Sequence, residues 1–233
     1  MNKEQLLKQL EFEEITCSNE QADLLMTFMN DTLAANEKFN LTAIKDRDAF
    51  VEKMIFDSAL AMRDLDLSNK SIIDVGTGAG YPGMVLKILC PSTKVTLLDS
   101  TSKKINHLKE LSNKYNLSTD CVAARAEDYA KSNIEKFDYA TARAVASLNI
   151  LLELIMPMLK VGGTFIALKG AGYEEEINNA SKAFKTLSCH VESIYECDLP
   201  ECKEKRAIIR IKKDKITPKK YPREYNQIKR QPL

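Results

Sequence analysis

One short stretch governs the architecture of this chain, Ser71-Ile72-Ile73-Asp74-Val75-Gly76-Thr77-Gly78-Ala79-Gly80-Tyr81-Pro82-Gly83. Apolar residues around one acid predict a short buried strand, and four of the chain's eight glycines follow within eight residues. Glycine is favoured where the backbone needs a positive φ or must approach a ligand without a Cβ. Pro82 suits the first turn of a helix, where its missing N–H costs nothing. The stretch therefore predicts a strand, a glycine turn and a helix, with a ligand at the helix N-terminus.

Two nucleoside cofactors fit this turn. Gly78 to Gly83 has the G-x-G-x-x-G spacing of dinucleotide-binding turns, whereas Asp74 to Gly80 has the spacing D-x-G-x-G-x-G, which suits S-adenosylmethionine. That cofactor carries a methionine ammonium and carboxylate, which Asp74 and free amides of the turn are expected to hold. A tight turn without a ligand is the alternative, and it is disfavoured because four glycines would then weaken the fold for no gain.

The pattern of alternating strands and helices continues beyond the turn. Further strands are predicted near residues 94–99, 120–123, 137–141, 164–169, 191–195 and 206–211. Helices are predicted after a Ser102 cap, over residues 148–159 and over 173–187, with a glycine turn at 161–163. This alternation predicts an α/β fold with a largely parallel sheet and helices on both faces. Ligands of such sheets bind at the carboxyl ends of the strands, near the topological switch point.

Charge is unevenly distributed along the chain. We divide it into an N-terminal helical extension (1–69), a central α/β domain (70–213) and a basic C-terminal tail (214–233). Residues 1–70 have a net charge of −6 and residues 203–233 a net charge of +9. The basic end indicates an anionic partner, nucleic acid first. A solvated lysine-rich tail that serves solubility is the alternative, and charge alone does not separate the two.

Several classes of protein are disfavoured by composition. The six cysteines are scattered without a C-x-x-C motif, and the two histidines are far apart, so we expect no metal and reduced cysteines in a cytoplasmic protein. The N-terminus lacks an apolar signal region, and no apolar run approaches the ~20 residues of a membrane helix. We therefore expect no membrane association, and we expect a monomer.

Acids at the ends of predicted strands are candidate ligands of the cofactor. Asp99 ends the second strand, where an acid accepts hydrogen bonds from ribose hydroxyls in either cofactor. Glu127 is placed to meet an adenine edge; the alternative interpretation is that it is an ordinary surface acid. The run from Leu159 to Ile166 resembles the late turn of class I methyltransferases, and the chain has no room for a second substrate domain. These features favour the methyl donor. They predict an α/β fold of the class I methyltransferase, Rossmann-like type, with a mostly parallel seven-stranded sheet and helices on both faces. Residues 70–213 would then form the S-adenosylmethionine-binding methyltransferase domain.

Taken together, the motifs resemble the glucose-inhibited division protein B family, the 16S ribosomal RNA guanine-N7 methyltransferases. The resemblance covers most of the chain, from the Asn-Leu-Thr loop onward. The matching pieces are Asn40-Leu41-Thr42, Asp57-Ser58, the stretch from Asp74 to Gly83, Leu98-Asp99-Ser100, Arg125-Ala126-Glu127-Asp128, residues 141–146, Leu168-Lys169-Gly170 and Tyr221-Pro222-Arg223.

The resemblance implies methylation of N7 of a guanine in 16S rRNA, guanine 527 of the small ribosomal subunit. It implies a cofactor pocket at Gly76, Tyr81, Asp99-Ser100-Thr101, Ala126-Glu127 and Arg143, to which the turn adds Asp74, Gly78 and Gly80. Asn40, Arg143 and Lys169 are expected near the reacting base. The basic tail, with Lys219, Lys220 and Arg223, is expected to bind RNA phosphates.

The chain departs from the family pattern at two places, and other functions stay open. Met54 stands where the family usually has a histidine, and Glu224-Tyr225-Asn226-Gln227-Ile228 replaces the usual glycine and proline after Arg223. The alternatives are a methyltransferase acting on a protein or small molecule, a ribosome-assembly factor without turnover and, remotely, an NAD enzyme. Arg143 pairing with an acid such as Asp138, and Lys169 as a surface lysine, are the structural alternatives for those two residues.

Overall fold

The computed structural model describes residues 1–39 and 41–233, with only the backbone described for 37–39. A seven-stranded sheet forms its centre. The strands are β1 (Ser71–Val75), β2 (Lys94–Asp99), β3 (Thr119–Ala123), β4 (Phe137–Arg143), β5 (Leu159–Lys169), β6 (Cys189–Asp198) and β7 (Lys205–Lys213). Their order is β3-β2-β1-β4-β5-β7-β6. The first five strands are parallel, and β7 is antiparallel to both β5 and β6. The predicted mostly parallel seven-stranded sheet is confirmed.

Helices cover both faces of this sheet. They are α1 (Lys3–Phe12), α2 (Asn19–Phe39), α3 (Arg47–Phe50), α4 (Asp57–Ala59), α5 (Gly83–Leu89), α6 (Ser102–Lys114), α7 (Ala126–Ser132), α8 (Leu148–Ile155), α9 (Tyr173–Asn179), α10 (Ser181–Leu187) and α11 (Tyr225–Arg230). A π-helical segment, Val51–Phe56, joins α3 to α4, and a 3₁₀ turn, Leu60–Met62, follows α4.

Two hydrophobic cores lie on opposite faces of the sheet because side chains alternate along a strand. Ile72 belongs to the first core, together with α1, α2, α5 and α6, whereas Ile73 belongs to the second core under α8, α9 and α10. Both isoleucines are fully buried. Burial of a side chain of this size stabilises the fold by about 1.5–3 kcal/mol, so this one strand supports both layers of helices.

The N-terminal helices are part of the first core. Leu6, Leu10 and Leu25 are fully buried in it beside residues of α5 and α6. The ring of Phe28 stacks on the ring of Tyr81 with centroids 4.7 Å apart. The predicted N-terminal extension therefore packs directly behind the glycine turn.

The C-terminal tail is folded onto the second face. Arg223 donates from Nε to Oε1 of Glu153 at 2.7 Å and from Nη2 to Oε2 at 2.6 Å. Glu153 is fully buried on α8, and Ile228 of α11 is fully buried in the second core. Arg223, predicted to bind RNA, is half-buried and paired with a buried carboxylate, whereas Lys219 and Lys220 are exposed.

Two predicted elements near β5 have different bounds in the structure. The helix predicted over 148–159 ends at Ile155, and β5 begins at Leu159, so the predicted turn at 161–163 lies inside a strand. Phe137 pairs with Leu159 but Tyr139 pairs with Thr164, so β5 bulges between these pairs. A Cβ at Gly163 would lie 2.9 Å from the carbonyl oxygen of Asp138. The glycine therefore permits a close approach of two strands instead of ending a helix.

Two predictions about helices were also wrong. Ser102 is the first residue of α6 and not its cap, because Thr101 occupies the N-cap position and no side-chain cap bond forms. The helix predicted over 173–187 is two helices, α9 and α10, separated at Ala180. Ala180 is fully buried in the second core. Apolar spacing predicted a helix here but carried no signal for the break.

The ion pair between Arg223 and Glu153 gives the first prediction. Arg223→Gln should lower the free energy of unfolding by about 3–5 kcal/mol, because it leaves a buried carboxylate without its cation. Urea unfolding measures the loss. Lys220→Gln, at an exposed lysine of the same tail, is the matched control and should stay within about 0.5 kcal/mol.

Adding Glu153→Gln to the Arg223→Gln variant removes the uncompensated charge and should restore part of the lost stability. A free energy of unfolding for Arg223→Gln within 1 kcal/mol of the unmodified protein would contradict the assigned anchor.

Candidate functional site

A cleft of about 1250 Å³ opens at the carboxyl ends of β1, β2, β4 and β5. The strand order reverses between β1 and β4, so the cleft lies at the topological switch point. The predicted residues that line it are Gly76, Gly78, Tyr81, Asp99, Ser100, Ala126, Glu127, Arg143 and Lys169. Asp74, Gly80, Thr101, Lys219, Lys220 and Arg223 lie outside its lining, and Asn40 lies outside the described residues.

Asp74 lies behind the glycine turn and not in the cleft. Its Oδ2 accepts a hydrogen bond from the Thr77 hydroxyl at 2.6 Å and from the Gly83 amide at 2.9 Å. Burial raises the pKa of Asp74 to about 6, although both hydrogen bonds lower it. This acid ties the turn to the start of α5, and its Oδ1 has no partner among the described residues. That Asp74 holds the cofactor ammonium stays a prediction.

The amides of the turn are also used inside the protein. Gly76 and Thr77 donate to the Leu98 carbonyl at 2.8 and 3.0 Å, and Gly78 donates to Oδ2 of Asp99 at 3.0 Å. The prediction that free amides here bind the cofactor was wrong for these three groups. Adjacent parallel strands place β2 close enough to accept those bonds.

The glycines serve different purposes. At Gly78, where φ is +58°, a Cβ would meet only the Gly76 carbonyl oxygen at 3.9 Å, so the backbone is an open wall of the cleft. At Gly80 a Cβ would lie 2.8 Å from Leu108 and 2.9 Å from Met84. Gly80 therefore permits core packing and does not line the cleft; its contact with the cofactor stays a prediction.

Two carboxylates line the cleft beside the turn. Asp99 is 8% exposed, and its Oδ1 accepts from the Thr101 amide at 2.8 Å. Each carboxylate oxygen can accept a second bond, so Asp99 has capacity for hydroxyl groups in the cleft. Glu127 is 6% exposed and accepts from Nε of Arg125 at 3.1 Å. This end of the cleft is suited to a polar ligand rich in donors.

A buried ion cluster forms the opposite end. Oδ2 of Asp57 lies 3.4 Å from Nη1 of Arg143 and 3.2 Å from Nε of Arg206. Burial raises the pKa of Asp57, against the lowering effect of the two guanidinium groups. Its Oδ1 has no partner among the described residues. Arg143 therefore pairs with Asp57, the residue that directly follows the π-helical segment, and not with Asp138.

The π-helical segment supplies further contacts to Arg143. Nη1 donates to the Lys53 carbonyl at 2.9 Å, and Nη2 contacts the Met54 sulfur at 3.1 Å. Single π-helical turns inside α-helices are frequent at functional sites. Met54, which stands where the family pattern has a histidine, thus touches the cation at this end of the cleft.

Lys169 also faces the cleft. Its Nζ donates to Oε2 of Glu176 at 2.6 Å and to the Ala146 carbonyl at 3.1 Å. The side chain is only 9% exposed, so it is not an ordinary surface lysine. Lys169 and Arg143 thus both supply cations to the lining of the cleft.

Comparison with known proteins identifies the family. A family model described as "rRNA small subunit methyltransferase G" matches residues 21–208. The chain belongs to this family. A relative from Bacillus cereus (strain B4264), named ribosomal RNA small subunit methyltransferase G, is 43% identical over 96% of this chain and 95% of the relative. One of the same name from Ligilactobacillus salivarius (strain UCC118) is 38% identical over the full length of both.

Solved structures support the fold class. An S-adenosylmethionine-dependent methyltransferase from Aquifex aeolicus superposes with a TM-score of 0.52 at 16% identity, covering 70% of this chain and 92% of that one. At this identity the likeness concerns the fold alone. It confirms the Rossmann-like arrangement predicted from the alternating strands and helices.

Several residues that line the cleft carried no predicted role. Among them are Lys53, Asp57, Arg206 and Tyr225. Asp57 had a usable signal, because an acid within the apolar pattern of a helix must find a buried partner. Arg206 and Tyr225 had none, since their positions depend on how β7 and the tail fold back.

No group of three or more potential metal-ligating side chains occurs among residues 1–39 and 41–233. Within the same residues, no helix combines the length and the apolar character that crossing a membrane requires.

The pKa of Asp74 yields a prediction about pH. Because the pKa in the folded protein, about 6, exceeds the ordinary value of 3.8, folding favours the protonated acid. Its contribution to stability is complete below about pH 4 and is lost as the pH rises through 6. Asp74→Asn keeps an acceptor for Thr77 and Gly83 and removes this dependence.

Urea unfolding of both proteins at pH 4, 5.5 and 7 tests this. The stability of the unmodified protein relative to Asp74→Asn should fall across this range, by up to about 3 kcal/mol at ~1.4 kcal/mol per pKa unit. Other titrating groups are common to both proteins and cancel in the difference. A difference that stays constant with pH would contradict the raised pKa.

Proposed function

We propose that this protein transfers a methyl group from S-adenosylmethionine to N7 of a guanine in 16S rRNA, guanine 527 by family resemblance. One observation carries the proposal: a single continuous cleft joins the carboxylate end, at Asp99 and Glu127, to the cationic end, at Arg143 and Lys169. The first end suits the nucleoside of a cofactor and the second suits an anionic substrate. Membership of the rRNA methyltransferase G family supports the same assignment.

The residues of the carboxylate end fit the proposed cofactor. S-adenosylmethionine supplies an electrophilic methyl group on a sulfonium sulfur. Asp99 would accept hydrogen bonds from the ribose hydroxyls, and Glu127 would meet the adenine amino group. The open backbone at Gly78 leaves room for close approach, since a Cβ there would project into the cleft.

The chemistry at the cationic end requires positioning more than proton transfer. Guanine N7 has a free lone pair and no proton to remove, so no general base is needed. We infer that Arg143, Lys169 and Asn40 orient the base, which is the main source of rate when two reactants must align. The methylated guanine gains positive charge, and the carboxylates of Asp57 and Glu176 at the cleft would offset it.

The tail and its neighbours are proposed to bind the rRNA of the small ribosomal subunit. Lys219 and Lys220 are exposed, whereas Arg223 is paired with the buried Glu153. Exposed lysines act on phosphates by releasing counterions, so their contribution falls steeply with salt. We also propose that the protein acts as a monomer in the cytoplasm, a reducing compartment that suits its six free cysteines.

Methyl transfer with a labelled donor tests the proposed reaction. Small ribosomal subunits from cells lacking the protein should gain one label per 16S rRNA, and mass spectrometry of the digested RNA should assign it to N7-methylguanosine at position 527. Asp99→Ala should weaken donor binding in calorimetry at least about 10-fold, because charge-assisted hydrogen bonds contribute about 1.5–3 kcal/mol each. Asp120→Ala, at an exposed acid of β3, is the matched control and should bind normally.

The location of the label separates the competing functions. Label on another nucleoside would contradict N7 chemistry, label on a ribosomal protein would indicate a protein methyltransferase, and no transfer by a donor-binding protein would indicate an assembly factor. Binding of nicotinamide nucleotide in place of the methyl donor would contradict the cofactor.

Salt dependence tests the role of the tail lysines. Replacing both Lys219 and Lys220 with Gln should reduce the slope of log affinity against log salt by about 1.4, at ~0.7 per phosphate contact with single-stranded RNA. Filter binding to 16S rRNA between 50 and 200 mM salt measures it. The same double change at Lys182 and Lys185, exposed lysines of α10, should leave the slope unchanged, and equal slopes for both pairs would contradict specific tail contacts.

A further inference from the structure

One aromatic ring of the cleft has no role in the proposed function so far. Tyr225 is half-buried and lines the cleft beside Ala124, Arg125, Ala126 and Glu127. It is the first residue of α11, so it comes from the tail and not from the sheet. The Tyr225 side chain also packs against the second core.

A contact with Arg125 and two ion pairs of the preceding residues hold the Tyr225 ring in place. The Arg125 guanidinium lies 4.5 Å from the ring centroid, and that arginine is itself paired with Glu127 at 3.1 Å. Glu224, the preceding residue, is paired with Lys131 of α7 at 2.6 Å. The tail is anchored two residues earlier by the Arg223 ion pair with Glu153, so the ring is fixed relative to the strand ends.

The order of the strands shows which part of a nucleoside would meet this ring. The cleft runs from the glycine turn after β1, past Asp99 at the end of β2, to residues 124–127 after β3. A ribose bound at Asp99 with its methionine part toward β1 must direct its base toward β3. Tyr225 lies at that end of the cleft.

We propose that Tyr225 is a cofactor-binding residue whose ring contacts the adenine of S-adenosylmethionine. The assignment rests on the proposed cofactor site and adds to it a wall supplied by the tail. An aromatic face suits this position because every purine offers a π-face for stacking, whatever hydrogen bonds its edge makes. The tail would then have two roles: its exposed lysines would face RNA phosphates, and its helix would close the base end of the cofactor cleft.

Calorimetry with S-adenosylmethionine on the full chain tests the assignment. Tyr225→Ala should weaken binding about 5-fold or more, the lower end of the loss expected when a base loses a stacked aromatic ring. Tyr225→Phe keeps the ring and should bind within about twofold of the unmodified protein. 5′-Methylthioadenosine shares the base but lacks the amino-acid part, and its affinity should fall by the same factor in Tyr225→Ala.

Tyr221→Ala is the matched control, because Tyr221 is a half-buried tyrosine of the same tail that packs on the second core but does not line the cleft. It should lower the melting temperature without a matching loss of cofactor affinity. Equal losses in Tyr221→Ala and Tyr225→Ala would show a general loosening of the tail and overturn the assignment.

Unchanged affinity in Tyr225→Ala, or a Tyr225→Phe variant as weak as Tyr225→Ala, would also overturn it. These outcomes differ from failure of the proposed function, in which the unmodified protein would not bind the methyl donor.

Discussion

The carboxylate of Asp74, sealed behind the glycine turn, is the interaction on which the site depends. A buried acid is costly unless local donors satisfy it; here the Thr77 hydroxyl and the Gly83 amide satisfy Oδ2, whereas Oδ1 has no partner among the described residues. Gly83 must lack a Cβ, which would lie 2.4 Å from Leu97 and 2.8 Å from Asp74 Oδ2. The turn is therefore held by Asp74 from within and by Leu98 and Asp99 of β2, and side chains at the ends of the neighbouring strands line the cleft beside it.

A second buried acid joins parts of the chain that are distant in sequence. Asp57 comes from the N-terminal helices, Arg143 from β4 and Arg206 from β7, and the three meet at the edge of the cleft. Removing any one of them leaves a buried charge without full compensation, so the cluster favours one relative placement of helices and sheet. The N-terminal helices thus belong to the site itself and are more than an addition to the methyltransferase fold.

Sequence predicted those features that depend on local pattern. The strands around Ile72 and Ile73 and the acid of Asp99 follow from alternation and from the shared edge of parallel strands, and the structure places them as expected. The bulge at Gly163 was missed because a glycine that ends a helix and one that admits a neighbouring strand look alike in sequence. Arg206 and Tyr225 were missed because only tertiary folding brings β7 and the tail to the cleft.

The basic C-terminal segment shows why net charge is an incomplete guide to a partner. Residues 203–233 contain twelve cations, yet Arg206, Lys213 and Arg223 are directed inward. Lys213 has a fully buried side chain that donates to the Leu159 carbonyl at 2.7 Å and pairs with Glu135, and the two arginines bind Asp57 and Glu153. These charges secure β7 and the tail, while exposed lysines such as Lys219 and Lys220 remain available to an anion. The attraction of an anionic partner would therefore depend on where the exposed cations lie, and not on the total of twelve. The inward-directed cations set those positions because they hold β7 and the tail in place.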